Sequence, residues 1–162
     1  RGHLVRNIVL LAALRKPSCG VAGAVGIVTD VGAHYATVRS IIDDVSRVSG
    51  MAQQSGDTCI VSGDLTLFGE GRLRLSNIAE NGDLKDGDRI VTSNISSKFL
   101  PGILIGYAAD ITTDQSRLTK SGYLIPAAQF DSLQEVLVIT TLKEEEAPQE
   151  STENTEGAQT GA

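Results

Sequence analysis

A chain of 162 residues with 41% hydrophobic content has room for one ordinary domain or two small barrels around a modest core. Only 4% of residues are aromatic and tryptophan is absent, so Val, Ile, Leu and Ala must fill that core, and 17 glycines suit short twisted strands joined by many turns. The net charge of −6 belongs to one end: six Glu and no Lys or Arg follow residue 143, while residues 1–143 hold 14 basic and 14 acidic side chains. A neutral body without a basic stripe excludes a nucleic-acid binder held by phosphate contacts.

Residues 1–20 carry four basic and no acidic residues, and the spacing of Leu4, Ile8, Leu11, Ala12 and Ala13 predicts an amphipathic helix ending before Pro17. The apolar run Ile8–Leu14 is far shorter than the roughly 20 residues of a bilayer crossing. Arg15 and Lys16 stand where a signal-peptide cleavage site needs small residues. From Val25 the period changes to two. Val25, Ile27, Thr29 and Val31 share one face, Gly32-Ala33-His34 reads as a hairpin connection, and Tyr35 to Ile42 forms the return strand.

Arg47 to Met51 and Thr58 to Gly63 suggest a further strand pair around Ser55-Gly56-Asp57, and Arg72 to Ser76 alternates with both arginines on one face. Asn81-Gly82-Asp83 and Asp86-Gly87-Asp88 are turns, after which a strand over 88–93 leads to a Pro101-Gly102 corner. The next strand, over 103–111, contains Gly106, which leaves room for close approach of a neighbouring backbone. Tyr123 to Pro126 resumes a strand, Gln129 to Ser132 is a turn, and the β-branched run Val136 to Ile139 marks a final strand within 133–140. From Glu144 onward no large apolar residue occurs, so burial cannot offset chain entropy and residues 144–162 are expected to be a disordered acidic tail.

Chemistry is sparse. Cys19 and Cys59 are expected to be free thiols, since Cys59 sits in the apolar strand Thr58-Cys59-Ile60-Val61 as a small hydrophobe would. No cysteine or histidine spacing suits a metal, and neither acidic turn has the ligand spacing of an EF-hand loop. A serine-protease-like double-barrel hydrolase would need His34, Asp43 or Asp44, and Ser62, but no nucleophile motif accompanies them and His34 reads as a turn residue. Gly20, Gly23 and Gly26 lack the dinucleotide fingerprint, and the acids cluster in turns instead of facing across a cleft. A carbohydrate- or peptide-binding module would gather several of the six aromatics in one concavity. No catalytic, cofactor or metal site is expected. The residues singled out are structural: Gly26, Gly87, Pro101, Gly102 and Gly106, at turns, corners and close approaches.

Several segments in order carry a family resemblance: Gly26-Ile27-Val28-Thr29-Asp30-Val31, Val38-Arg39-Ser40-Ile41-Ile42-Asp43, Ile60-Val61-Ser62-Gly63-Asp64, the Gly87-Asp88 to Ser93 strand, the Pro101-Gly102 corner, and Pro126 with Leu133 to Ile139. Over residues 23–140 the chain resembles the extracytoplasmic β-region of the rod shape-determining MreC family. The resemblance implies an all-β fold of two small β-barrels, the second inserted in the first. Mapped onto this chain, residues 23–45 and 121–143 form the first barrel, residues 46–120 the second, and residues 1–22 an atypical, helix-like N-terminal segment. It further implies a non-enzymatic scaffold of the cell-elongation machinery, outside the bacterial cytoplasmic membrane and anchored by a span upstream of this region. The implied partners are further copies of itself, MreD and a class B penicillin-binding transpeptidase. The chain reads as a C-terminal fragment, so strands near 25–31 and 133–140 are expected to be left with unpaired edges.

Overall fold

The computed structural model describes residues 10–14, 22–95, 99–115 and 118–139. Cys19 and the acidic segment 144–162 lie outside them. The described chain is all-β, with ten strands: β1 (Leu10–Leu14), β2 (Ala22–Val31), β3 (Ala36–Ser40), β4 (Arg47–Ala52), β5 (Thr58–Ser62), β6 (Leu73–Ala79), β7 (Arg89–Thr92), β8 (Leu104–Thr113), β9 (Thr119–Pro126) and β10 (Val136–Val138). Helix is limited to α1 (Leu65–Phe68) and one 3-10 turn, Phe130–Ser132. Strands β4-β5-β6-β9-β8-β7 close into an antiparallel barrel, and β10-β1-β2-β3 form an open four-stranded sheet.

Barrel closure follows from alternation. In β4 and β6 every second residue points inward, which buries Val48 and Ala52 from one strand and Leu73 and Leu75 from the other. Ile78, Ile90, Ile105 and Leu124 complete a core of aliphatic side chains that water does not reach. Each such Leu or Ile contributes about 1.5–3 kcal/mol of burial free energy. Three register shifts tighten the curvature, one of them between Ile90 and Val91 where β7 meets β8. The ladder of β6 with β9 shifts between Leu75 and Ile78, and that of β8 with β9 between Ala109 and Thr112. Within them Asn77 (φ 58°) and Asp110 (φ 50°) take the left-handed conformation that short polar side chains tolerate best.

Strand β9 corrects the expected domain boundary at residue 121. It pairs along its length with β6 and β8, from Leu73↔Leu124 to Thr113↔Lys120. Leu124 is needed in the barrel core, and Gly122 lets Ile111 and the backbone of Ala109 and Asp110 pass where a Cβ would stand. The barrel therefore runs from Arg47 to Pro126.

Strand β1 corrects the predicted helix. Residues 10–14 pair antiparallel with β2 (Leu10↔Ile27, Leu14↔Ala22) and with β10 (Leu11↔Val138, Ala13↔Val136). Pairing on both sides outweighs a weak helical periodicity. The same placement corrects the expected unpaired edge of β2, which lies between β1 and β3, whereas β10 pairs on one side only; among the described residues the outer edges of the sheet are those of β3 and β10.

The sheet rests on the barrel at its β2 end. Ala24 and Ile41 belong to the same buried cluster as the barrel core. The Ile41 N–H donates to Val25 O at 2.9 Å, and Ala127, just past β9, donates to Ile105 O at 3.0 Å. A Cβ on Gly23 would lie 2.5 Å from Ala128 N, so the backbone leaving the barrel lies directly against β2.

Candidate partner-binding surface

The residues of a hydrolase do not converge. His34 is exposed in the β2–β3 turn. Asp43 Oδ1 accepts the Val45 N–H at 2.9 Å and Asp44 Oδ1 the Leu65 N–H at 2.8 Å, so both carboxylates are engaged in holding local backbone. Ser62 lies in the β5 ladder opposite Arg47 and Arg74. Among the described residues no group of three or more His, Cys, Asp and Glu side chains is placed to hold a metal ion.

The six aromatics are scattered. Phe99 is buried in the core, Tyr35 stands exposed beside the β2–β3 turn, and Tyr107 lies half-buried in β8. Phe68 packs edge-on against Phe130 at 5.4 Å, while Arg72 covers Tyr123 at 5.3 Å and pairs with Asp110 at 2.7 Å. No concave platform for a sugar or peptide is built from them.

The glycines and proline singled out in the sequence sit at backbone constraints. Gly87 (φ 89°) and Gly102 (φ 86°) are left-handed turn residues, and Pro101 precedes the latter at the corner. A Cβ on Gly106 would lie 2.2 Å from Ile125 O, and one on Gly26 would lie 2.3 Å from Arg39 O. Thr92 escaped the sequence reading. It is fully buried, donates its hydroxyl to Leu100 O and accepts the Ile103 N–H at 2.9 Å, tying both sides of the Pro101-Gly102 corner to β7. Its one signal is a hydroxyl directly after the apolar pair Ile90-Val91, ahead of the corner.

Electrostatics inside the barrel point to structure. Burial, then the nearby Asp57 charge, pushes the Cys59 thiol up to about 12, so it stays protonated and is a poor nucleophile. Asp64 is held below the ordinary carboxylate range, first by the Leu67 N–H and then by the Arg74 guanidinium, which donates to Oδ2 at 3.0 Å. Just past the strand expected over Thr58 to Gly63, Asp64 is the N-cap of α1.

Exposed apolar side chains gather on the open sheet. Val136, Leu137 and Val138 of β10 are each about half exposed, and at the opposite edge Val38 is joined by Val31 and Tyr35, both about two-thirds exposed. Among the described residues no strand lies beside the outer edges of β3 and β10, and edges flanked by exposed apolar side chains have the chemistry that strand addition uses. A second feature lies where sheet meets barrel: a cleft of about 140 Å³ floored by Ile27, Ile41, Val48 and Phe99, with Arg39 and Arg47 at its rim.

A family model described as "Rod shape-determining protein MreC, barrel core" matches residues 16–140. The cell shape-determining protein MreC of Listeria monocytogenes is 32% identical over 133 residues, covering 76% of this chain and 43% of the relative. The chain thus spans less than half the length of that relative. Among solved structures, MreC from Listeria monocytogenes superposes with a TM-score of 0.71 at 28% identity, covering 86% of this chain and 64% of the other. The fold also matches MreC in a complex with penicillin-binding protein PBP2 from Helicobacter pylori, with a TM-score of 0.61 at 18% identity over 82% of this chain and 77% of that one. With most of its length matched by that model, the chain belongs to the MreC family of rod shape-determining proteins.

Proposed function

We propose that this chain is the extracytoplasmic, non-enzymatic scaffold portion of a cell-elongation assembly, organising peptidoglycan synthesis by holding protein partners on its open sheet. One observation carries the reading: a closed barrel presents an open sheet whose two outer edges are lined by exposed apolar side chains, with no convergent acid–base or metal-binding cluster among the described residues. A class B penicillin-binding transpeptidase is the first partner, in line with the Helicobacter pylori complex. MreD and further copies of the chain are the others, and attachment to the membrane lies in sequence upstream of this region. No helix among the described residues is long and apolar enough to cross a membrane.

The test is shape rescue. In a rod-shaped bacterium depleted of its own MreC, the full-length gene carrying Val38→Lys and Leu137→Lys, one charge on each sheet edge, is expected to leave cells round. The purified variant should bind the transpeptidase about tenfold or more weakly while keeping the wild-type circular dichroism spectrum. Restored rods and unchanged affinity would refute the sheet as the docking surface.

A further inference from the structure

The cleft between sheet and barrel is built for a ligand that is apolar at its tip and acidic beside it. Its floor is aliphatic and aromatic: Ile27 from β2, Ile41 and Val48 from either side of the crossing into the barrel, and Phe99 from below. Arg39 and Arg47 stand at the rim, both exposed, and neither makes an ion pair or side-chain hydrogen bond among the described residues. The nearby acids do not serve them. Asp43 and Asp44 hold the N–H groups of Val45 and Leu65. Two cations over an apolar floor favour an anionic partner with a small hydrophobic group.

The sequence supplies such a segment. After Ile139 the chain reads Thr140-Thr141-Leu142-Lys143-Glu144-Glu145-Glu146, in which Leu142 is the last large apolar residue and three glutamates follow almost at once. The register brings it near. Val138 pairs with Leu11, Leu11 with Gly26 and Gly26 with Ser40, so the row one step further along the sheet contains Leu10, Ile27 and Arg39, beside Ile139. Ile139 packs against the same buried cluster as Ile27, which places both on the barrel-facing side. Crossing from β10 to β2 takes two strand spacings, about 10 Å, and three extended residues span about that distance. Crossing to β3 takes about 14 Å, within reach of five residues. That length of chain puts Ile27 within reach of Leu142, and Arg39 and Arg47 within reach of the glutamates. A cavity of about 140 Å³ suits one aliphatic side chain.

We propose that the chain's own segment 140–146 docks in this cleft, Leu142 filling it and Glu144–Glu146 pairing with Arg39 and Arg47, so that the acidic C-terminal segment competes with any partner for the sheet–barrel junction. Docking within one chain needs little intrinsic affinity, because a short connection supplies a high effective concentration. It also weakens with salt, since the arginines are exposed.

The experiment uses the full chain with Cys19→Ser and Ser151→Cys, so that the introduced thiol takes a nitroxide label while buried Cys59 stays unreactive. The expected result is about a twofold or greater loss of amide signal at Ile27, Ile41, Val48 and Phe99 relative to the reduced label, with no loss around Lys85 and Thr113 on the far side of the barrel. The loss should survive about tenfold dilution, fall in about 0.5 M NaCl, and vanish on replacing Glu144, Glu145 and Glu146 with Gln. The double variant Arg39→Gln, Arg47→Gln, altered only at exposed positions, should abolish it equally. Undiminished signal in the cleft would overturn the proposal. A loss that disappears on dilution would overturn it too, by showing the segment of a second copy there, and so would a loss indifferent to the glutamates and arginines.

Discussion

The barrel and the open sheet are built from the same residue types in one chain, yet they differ in what completes them. In the barrel, six strands satisfy one another's backbone and bury Leu73, Leu75, Ile78, Ile90, Ile105 and Leu124 almost completely. In the sheet, β3 and β10 have no strand beside their outer edges among the described residues, and Val136, Leu137 and Val138 are exposed in succession. Closure makes the first region self-sufficient. The second depends on the barrel beneath Ala24 and Ile41 and on whatever covers its edges.

The sharpest way to break this contrast is a matched pair of truncations. Leu124→Ala in the barrel should cost about 3–4 kcal/mol in urea unfolding, through lost burial and a retained cavity, whereas Leu137→Ala in β10 should cost less than about 0.5 kcal/mol. Equal losses would mean that the sheet is as tightly packed as the barrel. Next come the two close approaches. Gly106→Val should destabilise the whole molecule by about 2–3 kcal/mol, because its side chain meets Ile125 O across β9. Gly26→Val, which meets Arg39 O, should loosen the sheet while the barrel keeps its unfolding midpoint. A single cooperative shift in both variants would show one folding unit.

Hydrogen exchange sharpens the comparison without mutation. Amides of Val61, Leu75 and Ala108 are expected to exchange about 100-fold more slowly than those of Val38 and Leu137. Uniform protection in a monomeric sample would contradict the dependence of the sheet on partners. The last comparison is a titration. Because burial raises the Cys59 thiol from 9.0 to about 12, the protonated form favoured by folding gives its full stability below pH 9.0, and that stability is lost as pH rises towards about 12. The acid limb should be unaffected by Cys59→Ala, and the wild-type decline above pH 9.0 should flatten in that variant.

How far the sequence could be read divides along the same line. Strands β2 to β8 follow from period-two alternation and turn residues, which are local signals: Arg72-Leu73-Arg74-Leu75 declares its inner face within four residues. Strand β1 was illegible because its partner in register, Val138, lies far along the chain, and nothing near Leu11 announces it. The membership of β9 in the barrel was hidden because one of its two partners, β6, lies far back along the chain, although the other, β8, is its neighbour. Helix α1 is too short to show a period, and Asp64 reveals its role only once Thr66 and Leu67 turn their N–H groups towards it. The turn glycines were legible as backbone chemistry. The partner surface was not, because which apolar residues stay exposed depends on where the sheet ends.

The pairing of β1 with β10 gives this protein a mechanical character. Leu11 stands opposite Val138, so the chain entering β1 and the chain leaving β10 depart from the same end of the sheet. Tension between those segments peels the two strands apart one pair at a time, a geometry that yields at lower force than sliding them past each other. That ladder of three pairs stands ahead of the barrel's connections at residues 41–46 and 127–135, while Ile139 packs on the barrel core. The three-pair ladder is therefore where tension on those two segments first acts.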